Sequence, residues 1–375
     1  MATIAFAQVE YSQPMVDFAA ALEHRGHRTV RLLAESVDAI AANPSRVRWE
    51  NLSTRWVPEA TVESGPLTAL GWEELLHARA VDFQATESTA TWMSNEGHDD
   101  QLGYRKVAAI PDRDVIDKLA LTRTLAEVGI AVPRTWDRVE DVPARSDVPL
   151  LFKLRDSGGG VGVHLCDGAT ELRRWVREYG EHTPYLVQEF YEGTPVIAAG
   201  VAAEGEVIAG ITYVNRIDPH KPFGFGYGLT VTDDPELIDY TIRVIRALGV
   251  SGPFAMDAVR GADNSSRLVD LNIRIWGSWQ ACQAAGLDVL GAYEYALGLG
   301  RPPEQPRLVT GSYHSALRTP PLAVSSVPER AKWLAAELRI IAGRAQWMGP
   351  KWARLARRRA LGWAGKGKPL AAIEG

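Results

Sequence analysis

The sequence predicts a mixed α/β and α+β chain, and three stretches carry that expectation. Residues 3–33 read as strand, helix, strand, the opening of a small doubly wound α/β unit. Residues 150–166 read as two strands joined by a glycine cluster. Residues 252–278, GPFAMDAVRGADNSSRLVDLNIRIWGS, read as a hairpin delivered by a long helical segment. With 375 residues, of which 46% are hydrophobic and 23% charged, there is apolar material for two or three domains. The net charge of −5 gives no electrostatic footprint for nucleic acid. The first residues lack the basic start and apolar run of a signal peptide, and no stretch reaches the ~18–20 apolar residues of a spanning helix. Two cysteines, Cys166 and Cys282, make no disulfide framework, so the expected location is a reducing cytoplasm.

Taken in order, TIAFAQV (3–9) forms a buried-looking strand, residues 13–25 a helix ended by Gly26, and HRTVRLL (27–33) a second strand. The intervening turn, QVEYSQP, has no glycine to seat a pyrophosphate, so no dinucleotide is assigned there. Residues 43–100 carry helical segments near 72–82 and a polar loop. In that region His77, His98, Asp99 and Asp100 lack metal-ligand spacing and read as solvated. In IPDRDVIDKLALTRTLAEVGIAVPRTW (110–136), Asp114 is placed to cap a helix that turns Ile116, Leu119, Leu121 and Leu125 to a core. Gly129 stops it and Pro133 prevents its resumption. Lys118, near its start, is by itself an ordinary solvated lysine.

In PLLFKLRDSGGGVGVHLCDG (149–168) the flanks of the glycines decide their meaning. A phosphate-binding P-loop or dinucleotide fingerprint runs from strand into helix. Here a strand leads into another strand, which makes a flap whose backbone N–H groups can close over phosphates. Lys153, inside the apolar strand, either faces an anionic partner or snorkels from an edge. A helix follows at 169–180, then the strand and turn TPYLVQEFYEGTPV (183–196) and a strand pair at 196–214 turning at Glu204 and Gly205. The loop HKPFGFGYGLT (220–230) has the glycine and aromatic content of a site cover, or of a plain irregular turn. The helix PELIDYTIRVIRALGV (235–250) leads to the hairpin, and residues 277–300 read as helical.

Alternation gives the hairpin two faces. Phe254, Met256, Ala258, Val269, Leu271 and Ile273 lie on one, and Asp257, Asp270, Asn272 and Arg274 on the other. If the loop closes symmetrically, Asp257 stands opposite Asp270, a repulsive pair in a sheet. The polar face is then either the solvated side of a half-buried sheet or a cation site. In the second case Asn272 adds a third oxygen, the metal is of the kind that also takes phosphate oxygens, and Arg274 meets a phosphate.

Together these residues resemble the ATP-grasp superfamily, in its predicted carboxylate–amine ligase branch. The likeness covers about 110–300 and rests on DKLALTRTLAEVGIAVPRT, the FK strand with DSGGGVGV, LVQEFYEG, PELIDYTIRVIRALGVSG and DLNIRIWGSWQACQAAGLD in that order. It implies an ATP-grasp fold behind an N-terminal α/β domain, and a reaction in which a carboxylate is phosphorylated by ATP and the acylphosphate is captured by an amine. It also implies that Lys118 and Lys153 contact ATP phosphates, with Lys153 and Arg274 assisting transfer. Ser157, Gly158, Gly159, Gly160, Val161 and Gly162 would form the flap. Gln188, Glu189 and Phe190 would frame the adenine, largely through backbone groups, with Glu192 nearest to a ribose contact because Pro195 stands where many members carry a Glu. Asp257, Asp270 and Asn272 would hold Mg²⁺, or Mn²⁺ in its place. Asp270 is a methylene shorter than the usual Glu, and Ile273 replaces a proline. Arg216, His220, Lys221, Tyr227 and Ser278 are weaker candidates for contact with the carboxylate and amine substrates. Alternatives on the same residues are loading of an amino acid onto a carrier-protein thiol, or an inactive ATP-binding module.

The expected domains are 1–110, an N-terminal α/β unit; 111–187, a small lid; 188–305, the larger subdomain with the hairpin; and 306–375, a basic helical extension. From residue 327 onward eleven basic face three acidic side chains, with Trp333, Trp347, Trp352 and Trp363 interleaved. That pattern suits packing on the acidic body, a peripheral membrane or anionic partner, or a homodimer contact.

Overall fold

The computed structural model describes residues 3–8, 13–34, 47–51, 80–83, 117–143, 148–155, 157, 160–180, 182–216, 223, 226, 228–304 and 308–314. The basic tail, the His77/His98 region, Asp114, Gly158, Gly159, His220, Lys221 and Tyr227 lie outside them. Three sheets organise the described chain.

The first contains β1 (Thr3–Gln8), β2 (Arg28–Ala34), β3 (Val47–Asn51) and β4 (Ala80–Phe83), with α1 (Gln13–His24) connecting β1 to β2. β1 runs parallel to β2 and β4, and β3 closes one edge antiparallel, as a doubly wound opening requires. Residues 80–83, expected at the end of a helical segment, instead form a strand against β1. Pairing along a sheet edge overrides a weak local helical pattern.

The second sheet follows α2 (Lys118–Glu127) and has the order β5 (Thr135–Trp136), β8 (Tyr185–Glu189), β6 (Leu150–Leu154), β7 (Val163–Cys166), all antiparallel. One face packs Leu150, Phe152, Cys166 and Val187 on Leu172 of α3 (Ala169–Tyr179). By alternation the other face carries Thr135, Leu151, Lys153, Leu186 and Gln188. The α2 cap is Asp117, three residues beyond Asp114: its carboxylate accepts from the N–H of Leu119 (2.9 Å) and of Ala120 (3.2 Å).

The third and largest sheet has the order β13 (Ser266–Asn272), β12 (Gly252–Arg260), β9 (Thr194–Ala203), β10 (Glu206–Arg216), β11 (Gly228–Thr232), β14 (Gly311–His314). Against one face pack Leu237, Tyr240, Val244 and Ile245 of α4 (Pro235–Leu248), with Leu121 and Leu125 of α2. The other face is covered by α5 (Trp279–Ala284), α6 (Val289–Ala296) and α1. The span 277–300 is thus two helices rather than one, parted near Gly286, whose φ of 104° no continuing helix accepts.

Phe18 of α1 meets Trp279 and Tyr293 edge-on, with ring centroids 5.0 and 4.9 Å apart. Around these rings Gln280 donates to Asp17 (3.0 Å), and Arg25 forks onto Glu294 with two contacts of 2.7 Å. The N-terminal unit is therefore seated on the large sheet through both an apolar contact and an ion pair. Truncating the fully buried ring in Phe18→Ala is expected to lower stability by about 3–5 kcal/mol in a urea titration. A loss below about 1 kcal/mol would show that α1 contributes little to that core.

Candidate active site

The hairpin places its acids as expected. Asp257 pairs directly with Asp270, and the row continues across the sheet through Ile197 to Tyr213. The loop does not close symmetrically, however. A bulge beside Ala258 pairs it with Leu268, so Leu268 joins the apolar face in place of Val269. Bulges twist a strand locally and re-aim its side chains; this one, at Val269, is next to Asp270.

Burial first, then the neighbouring Asp270 carboxylate, pushes Asp257 up to about 7. The Asn272 amide nitrogen donates to Asp257 (3.4 Å), and Arg274 donates to the Asn272 oxygen (2.8 Å). Among the described residues no Lys or Arg ion-pairs with either aspartate. No cluster of three or more His, Cys, Asp or Glu forms there either, so the oxygens on offer are these two carboxylates, with the Asn272 oxygen turned to Arg274. Two facing carboxylates, one pressed toward its protonated form, fit a hard divalent cation.

Lys153 approaches from the second sheet. Only 7% exposed, it is no snorkelling edge lysine. Burial, with Lys118 as a like charge, brings it down to about 8, while Asp270 and Asp257 pull the other way. Its ammonium donates to the Gln188 side-chain oxygen at 2.6 Å.

Lys118 is likewise buried rather than solvated. Its ammonium reaches the carbonyl oxygens of Ser157 (2.5 Å) and Arg155 (3.1 Å) at the root of the glycine flap. Arg155 in turn forks onto the α2 cap, Asp117, at 2.9 and 2.5 Å. In the flap, Gly160 and Gly162 take φ values of 79° and 68°, Val161 is exposed at the tip, and Ser157 donates to the Val161 carbonyl (2.8 Å).

At the hinge several polar groups already have partners within the chain. The Glu189 N–H donates to the Arg134 carbonyl and the Phe190 N–H to that of Pro149, each at 2.9 Å. Those two donors are therefore committed within the sheet, and the Gln188 side chain is taken by Lys153 and Thr135. Glu192 is exposed beyond the strand. Ser278 shares a 3.1 Å hydrogen bond with Tyr213, and Arg216 ends β10 near Thr230. Sequence reasoning missed Thr135, Asp117 and Arg155. Only Asp117 had a signal, an Asp immediately before the helical run.

Residues 115–278 match the family model of the ATP-grasp domain, and that stretch is an ATP-grasp domain. The chain is 24% identical over 195 residues to the D-alanine--D-alanine ligase of Methylibium petroleiphilum, covering 46% of this chain and 61% of that protein. It is also 24% identical over 220 residues to the 5-formaminoimidazole-4-carboxamide-1-(beta)-D-ribofuranosyl 5'-monophosphate synthetase of Pyrobaculum neutrophilum, covering 50% and 62%. It thus spans about three-fifths of these relatives' length. Among solved structures, N5-carboxyaminoimidazole synthetase from Staphylococcus aureus complexed with ADP superposes with a TM-score of 0.58 at 12% identity, over 82% of this chain and 80% of that one. The fold is therefore the ATP-grasp fold. Among the described residues no helix is long and apolar enough to cross a membrane.

The acid pair has a consequence for stability. With Asp257 at about 7 in the folded chain against an ordinary 3.8, the folded state binds the proton more tightly than the unfolded state. Its contribution is full below the ordinary value and is lost as pH rises toward 7. Without divalent metal, Asp257→Asn is expected to be more stable than the parent at pH 8, by on the order of 2 kcal/mol. The gain should vanish near pH 4. Urea titrations at both pH values check this, and an identical difference at the two would mean Asp257 titrates as an ordinary carboxylate.

Proposed function

We propose that this chain, built around the ATP-grasp domain at 115–278, is an ATP-dependent carboxylate–amine ligase that forms an amide and releases ADP and phosphate. One observation carries the reading. Lys153 of the second sheet lies within the field of Asp257 and Asp270 of the third, so a buried ammonium and two carboxylates share one neighbourhood inside that domain.

The chemistry assigned to the cleft has two steps. A substrate carboxylate attacks the γ-phosphorus of ATP, ADP leaves, and an acylphosphate forms; an amine then attacks the acyl carbon and expels phosphate. Phosphoryl transfer asks the protein for positioning and charge neutralisation more than for covalent help. Lys153 supplies a buried positive charge whose partial desolvation strengthens its attraction to phosphate oxygens. Arg274, held by Asn272, supplies a planar donor suited to the transferring group. Lys118, at the flap root, couples the position of the glycines to the nucleotide beneath them, and the closed flap keeps water from the acylphosphate. Asp257, Asp270 and Asn272 would hold Mg²⁺, which when bound screens the charge between the outer phosphates. Ser278 and Arg216 stand as substrate-contact candidates, with His220, Lys221 and Tyr227 in the same role on sequence alone.

ADP release measured against a panel of carboxylic acids and amines tests this. Substrate-dependent ADP formation is expected to fall by about 10²–10³-fold in Asp270→Ala and in Arg274→Ala, with an amide visible by mass spectrometry in the parent reaction. Tight ATP binding without turnover on any pair would replace the ligase with a nucleotide-binding module.

A further inference from the structure

We propose that Thr135 and Gln188 are positioning residues that hold the Lys153 ammonium at the phosphate end of the cleft, and that Gln188 does this instead of contacting the adenine. The inference rests on the nucleotide-binding reading above and assigns a role to Thr135, to which the resemblance gave none.

The hydrogen-bond directions are fixed one by one. The Thr135 hydroxyl donates its only proton to the Pro133 carbonyl, at 2.9 Å. Toward Gln188, 2.9 Å away, it can therefore only accept, so the side-chain nitrogen of Gln188 must face it. That turns the Gln188 oxygen onto Lys153, at 2.6 Å. The opposite amide orientation would set its N–H groups against an ammonium and its oxygen against an oxygen already presenting lone pairs. The orientation of an amide is usually ambiguous; here the chain of donors settles it.

The strand register builds this relay. Thr135 stands directly across from Gln188, and Lys153 lies diagonal to Gln188 across the adjacent pair, all on one face of the sheet. Gln188 is 2% exposed and Lys153 7%, so water does not compete for either group.

A neutral acceptor suits the purpose. A carboxylate at 188 would hold the lysine by cancelling its charge. An amide oxygen directs the ammonium and leaves the charge for an incoming anion. Without Thr135 the amide would be free to rotate, and the direction of the ammonium would be lost with it.

The test uses the full chain and three variants, Thr135→Val, Thr135→Ser and Gln188→Ala, each checked for folding by thermal melting. ATP with Mg²⁺ and adenosine are titrated separately by calorimetry. Thr135→Val is expected to weaken ATP about tenfold while adenosine changes less than about twofold, the loss expected for one hydrogen bond to a charged group. Thr135→Ser, which keeps the hydroxyl, is expected to restore ATP affinity. Gln188→Ala is expected to follow Thr135→Val. Equal losses for ATP and adenosine would assign the pair to the base pocket and overturn the inference, as would no loss for either.

Acylation of Lys153 by an amine-reactive ester, followed by mass spectrometry of the ligand-free chain, gives a readout independent of ATP. Labelling is expected to rise at least about threefold in Thr135→Val and to return to the parent rate in Thr135→Ser, and an unchanged rate overturns the positioning role. A parent chain that binds neither ATP nor adenosine sinks the ligase reading and the phosphate half of this inference, leaving the labelling result to decide the rest.

Discussion

The structure is organised by a separation of buried charges that no ion pair among the described residues closes. On one side of the cleft a buried ammonium, Lys153, has a neutral amide as its hydrogen-bonding partner. On the other, two carboxylates face each other across a strand pair, and burial holds one of them near its protonated form. Either half alone is a liability for the fold, because buried charge without a partner is costly. A ligand with phosphate oxygens toward the lysine and a divalent cation toward the aspartates relieves both at once. Each half is supported by surrounding residues that orient it without cancelling it: Thr135 and Gln188 for the lysine, Asn272 and Arg274 for the acids. Under the proposed function, stability given up at these buried charges would be returned on binding, the expected trade at a functional site.

What could be read from the sequence divides along a physical line. Period-two alternation and turn chemistry are local, so the strand–helix–strand opening, the glycine flap between strands and the Asp257–Asp270 pairing were all legible. The bulge was not. Val269 and Leu268 are both good strand residues, and nothing local says which one the ladder skips. Lys118 reads as an ordinary surface lysine because the carbonyls that hold it, on Arg155 and Ser157, lie some forty residues away in sequence. The adenine role expected of Gln188 came from its place in a motif, whereas its hydrogen bond to Thr135 depends on a two-residue strand, Thr135–Trp136, too short to give any periodic signal. The cap moved from Asp114 to Asp117 for a similar reason. Both are acidic residues before the same apolar run, and the Arg155 fork that favours Asp117 is a tertiary contact.

The distribution of cores bears on how such a cleft can open and shut. The large sheet carries apolar layers on both faces, and the N-terminal unit is welded to one of them through Phe18, Trp279 and Tyr293. The second sheet has its own separate core around Phe152, with α3 behind it. Among the described residues, polar contacts run between the two bodies. Lys118 leads α2, whose Leu121 and Leu125 belong to the large sheet's core, yet its ammonium holds the flap root of the other body. Tyr191, just past the hinge, reaches Asp263 and Ser265 in the hairpin loop at 3.2 and 2.9 Å. Apolar cores close-pack and resist shear, whereas hydrogen bonds can be exchanged for others of similar strength as groups move. Lys118, proposed above to meet the nucleotide, is thus also one of the links between the two sheets.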